Sequence, residues 1–232
     1  MIFDLSKLEL SNFQIFKHSF SLLVNNFKFY SLIVLLFNLP LYLALYILDF
    51  SIDDLTKFKL NEILILILLS IIVSIGDIFI IAATSKISKS KSFTFNSIFH
   101  SYKSRIFPYL TTSLLFIFFA QGLAMMLIIP GVLFAIYCLF YGQVVILRNY
   151  SLYEALVYSY EIVFKKWWKV FIGLILLGLF YMILELITEI VLITNDSKFF
   201  EFLIDYLKLI PGTISTIFLT NLFINLEATN NN

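Results

Sequence analysis

The sequence predicts an all-α, polytopic membrane protein: six transmembrane helices in three hairpins, each hairpin preceded by an amphipathic interfacial helix on the cytoplasmic side. Three observations carry this. The 232 residues are 61% hydrophobic and only 13% charged, whereas about a quarter of a soluble domain is charged. Several apolar runs approach or exceed the ~20 residues that a helix needs to cross a bilayer. Twelve of the sixteen Lys and Arg residues fall in alternate connections between those runs. Residues 1–232 read as a single integral membrane domain.

The spans follow in order. The first covers about Phe29–Leu48 and holds Asn38 and Pro40, the latter expected to kink it. The second, about Ile63–Thr84, holds Asp77. The third, about Tyr109–Ile129, holds Gln121. A Pro-Gly turn is expected at Pro130–Gly131, and the fourth span, about Gly131–Leu147, holds Gln143. The fifth, about Val170–Ile193, holds Glu185 and Glu189. The last stretch reads as an amphipathic helix up to Leu209, a break at Pro211–Gly212 and a short sixth span ending near Leu226. A polar leader of about 28 residues precedes the first run, and no small-residue cleavage site follows that run, so no cleavable signal peptide is expected.

Orientation follows from the basic residues. Lys7, Lys17, Lys28, Lys86, Lys89, Lys91, Lys103, Arg105, Arg148, Lys165, Lys166 and Lys169 share one side. The other side carries four lysines, outnumbered by acidic residues. A multi-pass protein of the bacterial inner (plasma) membrane with both termini cytoplasmic is expected.

The segment SLYEALVYSYEIVFKKWW, Ser151–Trp168, is too polar to cross and too apolar for a free loop. Ser151 and Glu154 have capping-box spacing, Glu161 precedes Lys165 by four, and Trp167 and Trp168 sit where amphipathic rings prefer the interface. Shifted by 140, Ser11–Tyr30 repeats the pattern: Ser11 falls on Ser151, Gln14 on Glu154, Ser19 on Ser159. A third copy, shifted by 82, places His18-Ser19-Phe20 on His100-Ser101-Tyr102 and is weaker, because the capping box is missing there. The unit is one interfacial helix plus one hairpin, with repeats at 11–84, 93–147 and 151–226. These repeats are parallel, unlike the inverted pairs of many secondary transporters.

The stretch Met125–Phe171 runs Ile-Pro-Gly, an apolar span, a short polar connection and a helix with Glu154, Ala155, Leu156 and Ser159 in EAL-x-x-S spacing. This pattern resembles a family of uncharacterised bacterial inner-membrane proteins, the YciC-like proteins, related in turn to the membrane domain of some glycerophosphodiester phosphodiesterases. The resemblance implies location and architecture only, and no phosphodiesterase domain accompanies it.

Intramembrane polar candidates are Asp77, Glu185, Glu189, Gln121, Gln143 and Asn38. Asp77 admits a proton or cation relay or a helix-packing hydrogen bond. Glu185 and Glu189, i and i+4 on one face, admit a cation site or an outer-headgroup position. The amides, with Asn221 and Asn225, read as interhelical hydrogen-bonding groups. His18 and His100 are expected to face headgroups. Interfacial basic candidates are Lys165, Lys166, Lys169, Lys103 and Arg105, which suit anionic lipid. Net charge is +1, so nucleic acid is not an expected partner. One cysteine, Cys138, excludes an internal disulfide. No catalytic motif, metal-ligand set or cofactor fingerprint occurs.

Two functions compete. The first is a non-enzymatic protein that organises lipid or a partner protein at the cytoplasmic face. The alternative is a transporter or channel for a small solute, ion or lipid, using Asp77, Glu185 and Glu189.

Overall fold

The computed structural model describes residues 9–47, 60–89, 94–194 and 209–230. The amphipathic stretch expected before Leu209 and most of the outer-loop charges lie outside those residues. Six helices are long and apolar enough to cross a membrane: Phe27–Ala44, Ile67–Ser88, Phe95–Met126, Ile128–Arg148, Trp167–Val191 and Leu209–Asn230. Every described element is helical.

Short helices open each third of the chain. α1 (Asn12–Asn25) begins with a complete Ser11/Gln14 capping box. After it, α2 (Phe27–Ile33), a π-helical turn (Val34–Asn38) and α3 (Leu39–Ile47) form one interrupted span. The cause of the π turn is Pro40. It has no N–H and its ring crowds the carbonyl four residues back. The ladder widens, and the Leu39 N–H reaches Val34 O. A π turn therefore stands at the position expected to kink. It presses Phe37 onto α4 (Leu60–Ser88) at Gly76, where a Cβ would lie 2.8 Å from Phe37 Cβ.

α5 (Phe95–Tyr102) is the third short helix. The capping box read as missing is present, formed by Thr94 and Ser97, one position downstream of the register that sets Ser11 on Phe93. Phe95 stacks on Phe79 at 4.4 Å, tying α5 to α4. α6 (Ile106–Met126) and α7 (Ile128–Tyr137) then form a tight hairpin. Its turn is Leu127, the one extended residue between them. The expected turn at Pro130–Gly131 is corrected: both residues lie within α7, Pro130 in the first turn, where its missing N–H is no loss. Gly131 instead permits contact, since a Cβ there would meet Ala124 at 2.6 Å.

The fourth span is not continuous either. α7 ends at Tyr137, three residues break the helix, and α8 (Tyr141–Arg148) resumes. The break is filled from α9 (Leu152–Lys165). Ser159 Oγ donates to Tyr137 O (3.0 Å) and accepts from the Phe140 N–H (3.0 Å). Both backbone groups would otherwise be orphaned in the interior. α10 (Trp167–Thr194) and α11 (Leu209–Asn230) complete the chain. Pro211 and Gly212 open α11 rather than break it, as Pro130 and Gly131 open α7.

α1 and α9 match position for position at the shift of 140. Both have fourteen residues, both end in a single non-helical residue (Asn26, Lys166), and both lead directly into a span. Ile15, Ser19, Leu22 and Leu23 are buried, as are Ala155, Ser159, Ile162 and Val163. Phe13, Phe20 and Val24 are exposed, as are Tyr153, Tyr160 and Phe164. The third stripe is polar: Gln14, Ser21 and Asn25 match Glu154, Glu161 and Lys165. Each helix therefore presents one face to protein, one apolar and one polar.

The start of α9 departs from its expected cap. Ser151 makes no side-chain cap bond. Leu152 stands at φ 50°, a left-handed conformation that costs a leucine on the order of 1–2 kcal/mol. Its N–H is taken instead by Thr112 Oγ1 of α6 at 2.8 Å. The chain trades a local cap for a tertiary one. Glu161 and Lys165 form no ion pair in the structure.

The core gathers at the end where α1 and α9 dock. α11 is the most enclosed helix, packed on α1, α4 and α9. Around it lie Tyr30, Ile33, Ile78–Ala83, Phe140 and Val144–Ile146. Away from this core, α4, α10 and the α6–α7 hairpin expose large apolar side chains, with Met125 at 87%. Gly131→Ala is expected to destabilise the fold by about 1–3 kcal/mol, the usual cost of overpacking. Gly178→Ala, with nothing within 4 Å of the added Cβ, is the near-neutral control. Thermal unfolding in detergent measures both.

Candidate functional site

Charged groups converge at the same end of the bundle. Arg148 is the last residue of α8 and Glu227 lies in the final turns of α11. Asn149, at φ 62°, takes the left-handed C-cap that asparagine tolerates and turns the chain toward α9. Arg148 grips Glu227 through two parallel bonds, Nε to Oε1 and Nη2 to Oε2, each 2.5 Å. Tyr158 on α9 donates its hydroxyl to Oε1 at 2.6 Å. A forked guanidinium–carboxylate pair is among the stronger and more directional polar contacts. Burial and Glu227 push the Tyr158 phenol up to about 12, so it stays a donor at any physiological pH.

Beside this pair lies a cavity of about 220 Å³, open on one side, lined by Ser85, Lys89, Tyr102, Leu147, Arg148 and Glu227 among others. Arg105 lies over the Tyr102 ring at 5.2 Å and donates to Ile146 O; Lys86 lies over the same ring at 5.9 Å. Two cations, Lys89 and Arg148, thus line the cavity with one carboxylate, Glu227, while Lys86 and Arg105 lie against Tyr102, a residue of its wall. Among the described residues no group of three His, Cys, Asp or Glu side chains comes close enough to hold a metal.

The predicted site residues separate into those that meet here and those that do not. Arg105 lies against Tyr102, a residue of the cavity wall, and Lys103 is exposed. Lys166 and Lys169 are engaged elsewhere. Lys166 Nζ pairs with Glu9 at 2.8 Å, and Lys169 Nζ lies 3.8 Å from Glu9 and donates to Asn225 Oδ1 at 2.9 Å. The Lys166 ammonium holds the Glu9 carboxyl below its usual range. Lys165 is exposed on the polar stripe of α9.

Asp77 is half-buried on α4, on the side of that helix near Thr216 of α11. Glu185 and Glu189 are exposed on α10. The three intramembrane carboxylates therefore do not share one environment. Gln143 is buried in α8, Gln121 is exposed on α6, and Asn38 reaches toward Gly76. Asn221 bridges helices as expected. It donates to Ser19 Oγ at 2.9 Å and accepts from Ser88 Oγ at 3.0 Å.

The Arg148–Glu227–Tyr158 cluster escaped the sequence reading. Glu227 and Arg148 are 79 residues apart, with no motif between them. The available signal was Glu227 itself, the only acidic residue after Asp205. Compared with protein-family models, curated proteins and solved structures, the chain gives no match.

His18 overturns another expectation. It does not face headgroups: it is 6% exposed within the core, and its Nε2 has no hydrogen-bond partner. Burial lowers its pKa from the ordinary histidine value of 6.5, because the interior disfavours the imidazolium. The unfolded chain then binds a proton at a higher pH than the folded one. Stability is full above about pH 6.5 and falls as the pH drops toward the lowered folded value. Melting temperature should decline on acidification through that window, and His18→Phe should flatten the decline.

Proposed function

We propose that this is a non-enzymatic, multi-pass protein of the bacterial inner membrane, with both termini cytoplasmic, that holds anionic lipid headgroups at its cytoplasmic face. The observation that supports it best is the open cavity lined by Lys89, Arg148 and Glu227, with Lys86 and Arg105 against its Tyr102 wall, at the end of the bundle that carries the basic connections. Each Lys or Arg near an anionic leaflet contributes roughly 1 kcal/mol to such attraction. Of the two lining cations Lys89 is the better placed to act, because Arg148 is already forked onto Glu227; Arg105 adds its charge from beside Tyr102. The likeness of Met125–Phe171 to the YciC-like inner-membrane proteins agrees with this location.

The transporter alternative asks Asp77, Glu185 and Glu189 to line one path. Their separate settings, Asp77 inward and the two glutamates outward, favour the lipid-holding reading.

The test uses full-length protein in mixed micelles of fixed detergent, with either phosphatidylglycerol or phosphatidylcholine added. Phosphatidylglycerol is expected to raise the melting temperature more, and less so at high salt. Lys89→Gln with Arg105→Gln should abolish the difference, while Lys165→Gln should keep most of it. Equal stabilisation by both lipids in the unaltered protein contradicts the proposal.

A further inference from the structure

A second cavity lies between α9 and the α6–α7 hairpin. Its volume is about 370 Å³, and it is lined by Phe119 and Phe134 from the hairpin, Cys138 at the helix break, and Leu156, Val157 and Tyr160 from α9, among others. No oxygen or nitrogen lines it, although three tyrosine rings contribute their faces. We propose that this crevice seats one acyl chain of a phospholipid whose headgroup rests beside α9.

Three features select that occupant. The crevice opens along the exposed apolar stripe of α9, Tyr153, Tyr160 and Phe164, so it is continuous with the surface that faces the bilayer rather than water. On the opposite flank of that stripe lie Glu154, Glu161 and Lys165, which fix where water begins. The boundary between acyl chains and headgroups therefore runs along α9, and the crevice lies just beneath it. An interfacial helix with its apolar face at this depth is the usual arrangement.

Size agrees as well. A space of about 370 Å³ falls within the range of small-molecule pockets, about 300–1,000 Å³, enough for a length of one acyl chain. An apolar pocket of this kind stays dry, so a chain enters without displacing bound water. Its walls are held by contacts that do not involve the occupant. Tyr137 and Tyr160 pack at 4.9 Å, Phe119 and Phe134 at 6.0 Å, and Ser159 locks α9 to the helix break.

This site rests on the protein being lipid-embedded, and it extends the lipid-holding reading to a place where headgroup charge plays no part. The probe is therefore a zwitterionic phosphatidylcholine carrying a photoreactive diazirine at mid-chain, reconstituted with full-length protein. After irradiation, peptide mass spectrometry should find adducts on the Cys138 and Leu156–Tyr160 peptides at least as strongly as around Phe118, which is open to bulk lipid. Val157→Trp, which fills the crevice, should cut the Cys138 adduct several-fold and leave the Phe118 region unchanged. Val157→Phe should give an intermediate loss and guards against misfolding of the larger variant. An unlabelled Cys138 in the unaltered protein, or equal labelling in all three proteins, overturns the proposal. Neither result depends on a preference for anionic lipid, so this inference and the headgroup reading fail separately.

Discussion

An amphipathic helix gains little free energy by leaving a lipid surface for a bundle of lipid-coated spans, because acyl chains solvate its apolar face almost as well as protein does. What fixes α1 and α9 in place must then be polar and directional. Each helix supplies one fully buried serine for this. Ser159 donates to and accepts from the two ends of the break between α7 and α8. Ser19 accepts from Asn221 and donates to Ile15 O, at the end of a chain that starts at Ser88. Losing either hydroxyl strands buried backbone or amide groups, which costs about 1–3 kcal/mol per group. The rest of the charged end, from Lys169–Asn225 to Arg148–Glu227, forms around elements those two bonds align.

Much of this was legible in the sequence because its physics is local. Apolar run length set the spans, and the shift of 140 identified two helices that share four buried positions and three exposed apolar ones. The failures were tertiary. Ser151 had the right spacing for a cap, yet Leu152 takes a left-handed conformation and its N–H is held by Thr112, forty residues earlier. Pro130–Gly131 looked like a turn, but proline suits the first turn of a helix, and the glycine serves a close approach to Ala124. His18 looked interfacial because it sits on an amphipathic helix; which stripe meets protein is decided by partners that one helix cannot reveal.

The two equivalent helices also differ in a way that separates lipid from protein contact. α1 closes on α10 and α11, with Phe16 against Phe180 at 5.3 Å and Phe218 at 6.0 Å. α9 closes on a broken helix and leaves a crevice beside it. Its polar stripe carries two glutamates and a lysine where α1 has Gln14, Ser21 and Asn25. Both helices dock through a buried serine, and α9 alone adds charge on its polar stripe and a cavity beside it. Both cavities border elements that α9 touches, so the two proposed lipid contacts fall on the same half of the bundle.

The central claim is that α9 is a docked part of the core rather than a helix afloat on the headgroups. Amide hydrogen exchange of the full-length protein in lipid nanodiscs tests it most directly. Docking predicts that amides from Ala155 to Val163 exchange as slowly as those of α8, and that Ser159→Ala speeds α9 and residues 138–141 together. Fast exchange of α9 in the unaltered protein, with α8 still protected, would contradict the account.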